Sequence, residues 1–253
     1  MPSHSIRNAL LAILLLGSFT SGAVAQDCAP PPITANSKNY NIFSPEQEMI
    51  VGELTFQEFS GELRFVHDPE LTAYLTRIGQ RLAQHLPQIG LKFKFFIVDL
   101  PDANAFNIPG GYVFVSRKLI GFAHNEDELA GVVAHELGHA TVRHGASDLS
   151  GYFKKILNVT QVGDRKDIAE KYHLFIEKQR TKRVSQGEGH ENEQQLEADR
   201  IGLFAMVAAG YDASTFASFF GRSDWPRTGR QSKVKIINNA RRRRFSIRFL
   251  QKY

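Results

Sequence analysis

Residues 125–145, NEDELAGVVAHELGHATVRHG, decide how the rest of the chain is read. Asn125 is a helix N-cap, Glu128 follows three positions later in the manner of a capping box, and the acids of the first turn complement the helix dipole. Leu129, Val132 and Val133 make a buried stripe. The helix is predicted to run to about His144, where Gly145 stops it. His135 and His139, four apart, then project from one face about one turn from each other. Two neutral imidazole nitrogens so placed can hold one Zn²⁺ per chain, and Glu136 can reach a water on that ion without being a ligand itself. Zinc lowers the pKa of bound water towards about 7 and polarises a carbonyl, so this arrangement implies hydrolysis with Glu136 as general base. Two histidines and a carboxylate on an otherwise apolar face would be costly to bury without a partner. Gly138 keeps one side of the helix slim enough for another element to come close.

Outward from this helix, Ser44 and Pro45 start a helix expected to end near Phe59, and Asp68 and Pro69 start a second. In the second, Leu71, Tyr74, Leu75, Ile78 and Leu82 recur at helical spacing. Residues 91–100, rich in Phe, Ile and Val, read as a strand, 102–111 as a loop, and 112–116 as a second strand. Beyond the motif, 148–180 is predicted helical, with Ile168, Tyr172, Phe175, Ile176 and Gln179 on one face. A charged loop, 181–189, precedes a last helix, 191–209, ended by Gly210. Helices, a short sheet and helices again give an α+β, mainly helical fold.

A chain of 253 residues that is 42% hydrophobic and 23% charged can bury one sizeable core. Arg7, the apolar run from Ala9 to Leu16 and the small residues Ala23 and Ala25 read as a signal peptide over residues 1–25. The run is too short for a comfortable span, and nothing later offers the roughly 20 apolar residues a membrane helix needs. A secreted protein is therefore expected, periplasmic or extracellular, soluble or peripheral to a membrane. Cys28 is the only cysteine, which excludes an intramolecular disulfide, and Asp27 before it argues against a lipid anchor. Residues 26–42 form a Pro-containing connector, 43–221 the catalytic domain and 222–253 a basic tail. The tail holds eleven Lys or Arg against one Asp, so the net charge of +5 belongs to it while the body is acidic. Arg241 to Arg244, followed by Phe245, Ile247 and Phe249, could meet an anionic membrane surface. An extracytoplasmic address makes nucleic acid an unexpected partner.

Several ordered blocks resemble family 48 of the metallopeptidases, the group of the CAAX prenyl endopeptidase, the heat-shock membrane protease and the periplasmic zinc proteases. They are Asn104-Ala105-Phe106, then Pro109 to Val115, Glu128-Leu129-Ala130 leading into the His135 motif, Arg143-His144, and Glu197 to Gly202. The resemblance implies a gluzincin-like zinc endopeptidase acting on polypeptides, misfolded envelope proteins among them. It also implies a third ligand, a Glu four residues before Asp199. That position holds Gln195, a weaker neutral ligand, with Glu191 one turn earlier as a substitute, whereas Glu193 and Glu197 should point away. Asp199 would orient a ligand histidine. Residues 112–116 resemble the family's edge strand, so Gly110, Gly111, Tyr112 and Val113 are expected to take an extended substrate. His144 reads as a helix-end histidine near exposed carbonyls. The departure at Gln195 supports an alternative, a degenerate homologue that binds proteins like a chaperone without cleaving them.

Overall fold

A computed structural model describes residues 29–33, 40–181 and 191–221. The signal-peptide reading, most of the connector, the charged loop after 181 and the basic tail lie outside the described residues, as does the side chain of Glu191. Helix α1, Pro45–Ser60, is capped reciprocally: Gln47 N–H donates to Ser44 Oγ and Ser44 N–H to Gln47 Oε1. In α2, Pro69–Ala83, Asp68 Oδ1 accepts from Leu71 N–H, and Leu75, Ile78 and Leu82 are buried as the periodicity predicts.

Three strands follow, and one of them was expected to be loop. β1 is Lys94–Val98, β2 is Ala105–Ile108 and β3 is Tyr112–Ser116. β2 is only four residues long and contains Ala and Asn, both poor strand formers, so its sequence carries little signal. It forms because the turn at 109–111, with Gly110 and Gly111 both at φ 83°, folds it back on β3. The sheet order is β1-β3-β2, with β3 parallel to β1 and antiparallel to β2. β3 is therefore central, and the expectation of an edge strand there is corrected. Alternation sends Val113 and Val115 into the main core, with Leu129, Val133 and Leu137, while Tyr112 and Phe114 join a second, aromatic cluster. Phe114 stacks on Phe106 at 4.7 Å and on Phe96 at 5.2 Å between ring centroids.

α3, Arg117–Phe122, is a short turn of helix that no pattern announced, and α4, Glu126–Val142, is the motif helix. Asn125 Oδ1 accepts from Glu128 N–H, but the Glu128 carboxylate returns to His124 N–H rather than to Asn125, so the capping box closes one residue early. The expected end near Gly145 is also corrected. α4 stops at Val142 because Arg143 turns left-handed, φ 65°, and α5, His144–Tyr152, starts at once on a new axis. The continuous helix expected over 148–180 is likewise two: α5 runs into a π-helical turn, Phe153–Leu157, Asn158 turns left-handed at φ 56°, and α6, Arg165–Thr181, begins afterwards. Ile168, Tyr172 and Phe175 of α6 pack with Phe43, Val51, Leu149 and Phe153 in a third cluster. α7, Glu191–Ala208, ends before Gly210, φ 76°. A further helix, α8, Ser214–Gly221, lies beyond the last one expected. Among the described residues no helix is long and apolar enough to cross a membrane.

The contact that positions the site is between α4 and α7. A Cβ placed on Gly138 would stand 2.3 Å from the Ala198 carbonyl oxygen, and one on Gly202 would stand 2.8 Å from that of Ala134. Two helix backbones meet there, as the slim face at Gly138 suggested. Gly138→Ala should therefore lower stability by about 1–3 kcal/mol through overpacking, seen as a reduced urea midpoint. Gly151→Ala, in α5 with nothing within 4 Å of the added carbon, should leave that midpoint unchanged or raise stability by up to about 1 kcal/mol.

Candidate metal centre

His135, Glu136 and His139 occupy the middle of α4, where all three are buried, at 4%, 2% and 6% exposure. Helical spacing and the α7 contact bring the two imidazoles together, His135 Nε2 to His139 Nε2 at 3.1 Å. Gln195 of α7 places its Oε1 3.4 Å from His139 Nε2. The other ring nitrogens are engaged behind. His135 Nδ1 lies 2.6 Å from Asp199 Oδ1. His139 Nδ1 lies 2.8 Å from His144 Nδ1, and His144 Nε2 lies 3.3 Å from Glu197 Oε2.

Burial and the partners behind each ring act on the ring hydrogens. Burial, reinforced by the neighbouring histidines, pushes His139 well below the usual histidine range. Burial likewise lowers His144 to about 4, although Glu197 opposes it. Both rings are neutral near pH 7 and carry one hydrogen each. An ionised carboxylate only accepts, so His135 Nδ1–H donates to Asp199 and His144 Nε2–H to Glu197. The Nε2 atoms of His135 and His139 face one another 3.1 Å apart, with the Gln195 amide oxygen beside them. In the tautomers that carry the hydrogen on Nδ1, the two rings and the amide would offer three donor atoms to one divalent cation. Imidazole nitrogen with amide oxygen is a donor set that fits zinc. Among the described residues no trio drawn from His, Cys, Asp and Glu could hold a metal, because the third group here is Gln195.

Glu136 is fixed from the sheet: Asn107 Nδ2–H of β2 donates to its Oε2 at 2.8 Å. Phe216 and Phe220 of α8 stand beside His135, with ring centroids 6.3 and 6.2 Å away. Neither Asn107 nor α8 figured in the sequence reading. Asn107 follows directly on the Asn104-Ala105-Phe106 block, the one signal that marked its neighbourhood. His144 is corrected from a carbonyl-facing helix end to a buried partner of His139, and Glu197, expected to point away, faces it. The strand segment expected to take substrate is revised too. Gly110, Gly111, Tyr112 and Val113 are buried, Gly110 N–H donates to Glu48 Oε1, and Tyr112 and Val113 are paired on both sides. Beside α4 lies β2 instead, which pairs with one strand among those described. Glu191 is the first residue of α7.

A family model for peptidase family M48 matches residues 69–241. The chain belongs to this family. It is 30% identical over 220 residues to a beta-barrel assembly-enhancing protease of Escherichia coli K12, covering 83% of this chain and 45% of that protein. It is 29% identical over 231 residues to one from Yersinia pestis, covering 85% and 46%. With the mitochondrial metalloendopeptidase OMA1 of Schizosaccharomyces pombe it shares 25% identity over 200 residues, 75% of this chain and 56% of that one. The chain spans about half the length of these relatives. Gln195 stands at the position where the resemblance implied a Glu.

The left-handed break at Arg143 is held by charge. Buried Glu48 accepts from Arg143 Nε, and Arg143 Nη2 donates to the Phe43 carbonyl at 2.8 Å. Burial raises Glu48 above the usual carboxylate range, and Arg143 draws it partly back. Arg143→Gly keeps the backbone conformation but leaves Glu48 without its cation, and should cost roughly 3–5 kcal/mol. Arg143→Ala should cost about 1–2 kcal/mol more, because alanine is strained at positive φ. Chemical denaturation of the two variants measures both differences.

Proposed function

We propose that the chain is a zinc-dependent endopeptidase of polypeptides outside the cytoplasm, holding one zinc through His135, His139 and Gln195, with Glu136 as general base. The observation that carries this reading is the convergence of His135 Nε2, His139 Nε2 and Gln195 Oε1 beside a carboxylate anchored by Asn107. When bound, zinc supplies Lewis acidity, making a water a usable nucleophile near pH 7 and polarising the scissile carbonyl. Glu136 takes a proton from the attacking water and returns it to the leaving amine nitrogen. Asn107 fixes one oxygen of that carboxylate, which limits the geometries from which it accepts. Asp199 and the His144 ring hold the two histidines in the tautomers that present Nε2. The outer edge of β2 would take the substrate backbone, since main-chain hydrogen bonding recognises extended chains irrespective of side chain.

The signal-peptide pattern supports secretion, to the periplasm or the exterior. The Escherichia coli relative is named for enhancing beta-barrel assembly, which supports substrates among proteins that assemble as beta-barrels, the envelope proteins of this reading. The tail after residue 221 is proposed to approach anionic membrane surfaces. The second reading, a chaperone-like homologue that binds without cleaving, draws on Gln195, because an amide oxygen holds a dication more weakly than a carboxylate.

Zinc content of the purified full chain and cleavage of unfolded casein separate the two. About one zinc per chain, with cleavage lowered a hundredfold or more by Glu136→Gln and zinc retained, supports the endopeptidase. Casein bound but uncut by both versions would establish the second reading. Gln195→Glu should raise zinc affinity about tenfold or more in a competition titration with a chelator; an unchanged affinity removes residue 195 from the ligand set.

A further inference from the structure

We propose that Phe220, backed by Phe216, is the wall of an apolar subsite beside the metal centre, which selects polypeptides with a large apolar side chain next to the bond that is cut. Such a subsite rests on the endopeptidase function proposed above and adds to it the class of residue recognised. Along the seam between α4 and α7, successive turns bring different pairs together. A Cβ on Gly131 would stand 3.6 Å from Met206 Sδ. One turn on, His135 meets Asp199, and one turn further His139 meets Gln195. α8 lies against the first two of these levels. The carbon added on Gly131 would also stand 3.3 Å from Phe216 Cδ2, and the rings of Phe216 and Phe220 stand 6.3 and 6.2 Å from that of His135. Aromatic surface therefore runs along the helix pair and reaches the first imidazole of the site.

The rings of α8 differ in exposure. Phe216 is 8% exposed and meets Phe220 edge-on at 5.0 Å, and Phe219, 5.2 Å from Phe220, is fully buried. Phe220 itself is only partly buried, and the Asp199 side chain, on the partner helix at the His135 level, is 34% exposed. An apolar side chain laid on Phe220 would remove water from both surfaces, whereas a charged or amide side chain would lose hydration against a ring that returns no hydrogen bond. Phe216 and Phe219 hold the wall from the core side, so little ordering is left for binding to impose. A Phe220 that served the core alone would leave the choice of cleaved bond untouched.

Mass spectrometry of unfolded casein digested by the zinc-loaded full chain reads the cut positions, and one of the two residues flanking the cut should be mostly Leu, Phe, Met or Val. Two fluorogenic peptides that differ only there, Leu against Ala, should differ about tenfold or more in kcat/KM, and Phe220→Ala should bring that ratio to within about threefold. A ratio taken on one preparation does not depend on how much of it is folded. Phe220→Leu, which keeps an apolar wall, should retain the preference. Cut sites without apolar enrichment on either side overturn the subsite, and so does a Leu-to-Ala ratio that Phe220→Ala leaves unchanged. If the wild type cuts neither casein nor the peptides, the endopeptidase function fails, and fluorescence anisotropy with a labelled alanine-based peptide, with and without one central Leu, decides the subsite. Tighter binding of the Leu peptide that disappears in Phe220→Ala upholds it; equal or absent binding by the wild type, or a preference that survives the substitution, overturns it.

Discussion

The structure depends on two helix backbones approaching without side chains between them. Gly138 of α4 faces the Ala198 carbonyl and Gly202 of α7 faces Ala134. Across that seam the register is fixed to a fraction of a turn, so Asp199 meets His135, Gln195 meets His139 and Glu197 meets His144. A larger residue at either glycine would lift α7 away, and all three contacts would lengthen together. The site is thus a by-product of how closely two helices pack.

The motif helix, α1, α2, β1, β3 and α7 were legible because each carries a strong local signal: a capping residue, a proline at the first turn, or an apolar period. What escaped was determined by distant contacts. β2 exists through its pairing with β3, and Ala105-Phe106-Asn107-Ile108 alone resembles a loop. The break at Arg143 reflects Glu48, 95 positions earlier, clamping the guanidinium, a partnership no local window contains. With that break unseen, His144 was placed at the end of the wrong helix. His135, Glu136 and His139 could be picked out as a set from spacing alone. Asn107, His144 and Glu197 reach them only through the folded topology.

The charges around the centre are arranged in layers. Two imidazoles and an amide face inward, and the carboxylates stand behind them, Asp199 one ring back and Glu197 two, beyond His144. A carboxylate at 195 would bring negative charge into direct contact with a bound dication. With an amide there, that compensation would fall to the carboxylates behind the rings. Glu136 follows His135 directly on α4, buried and fastened to Asn107.

The sheet has a consequence for the polypeptides such a site would process. Its aromatic face, with Phe96 and Phe106 stacked on Phe114 and Phe56 of α1 laid against them, would make β2 a stiff template four residues long that does not bend to suit a visitor. A compact client whose strands are already satisfied has nothing to offer it. Such a client must first open a short stretch of its own fold, at whatever free energy that local opening costs. Turnover would then follow the client's stability more closely than its sequence, and damaged or unassembled chains would be consumed ahead of intact ones.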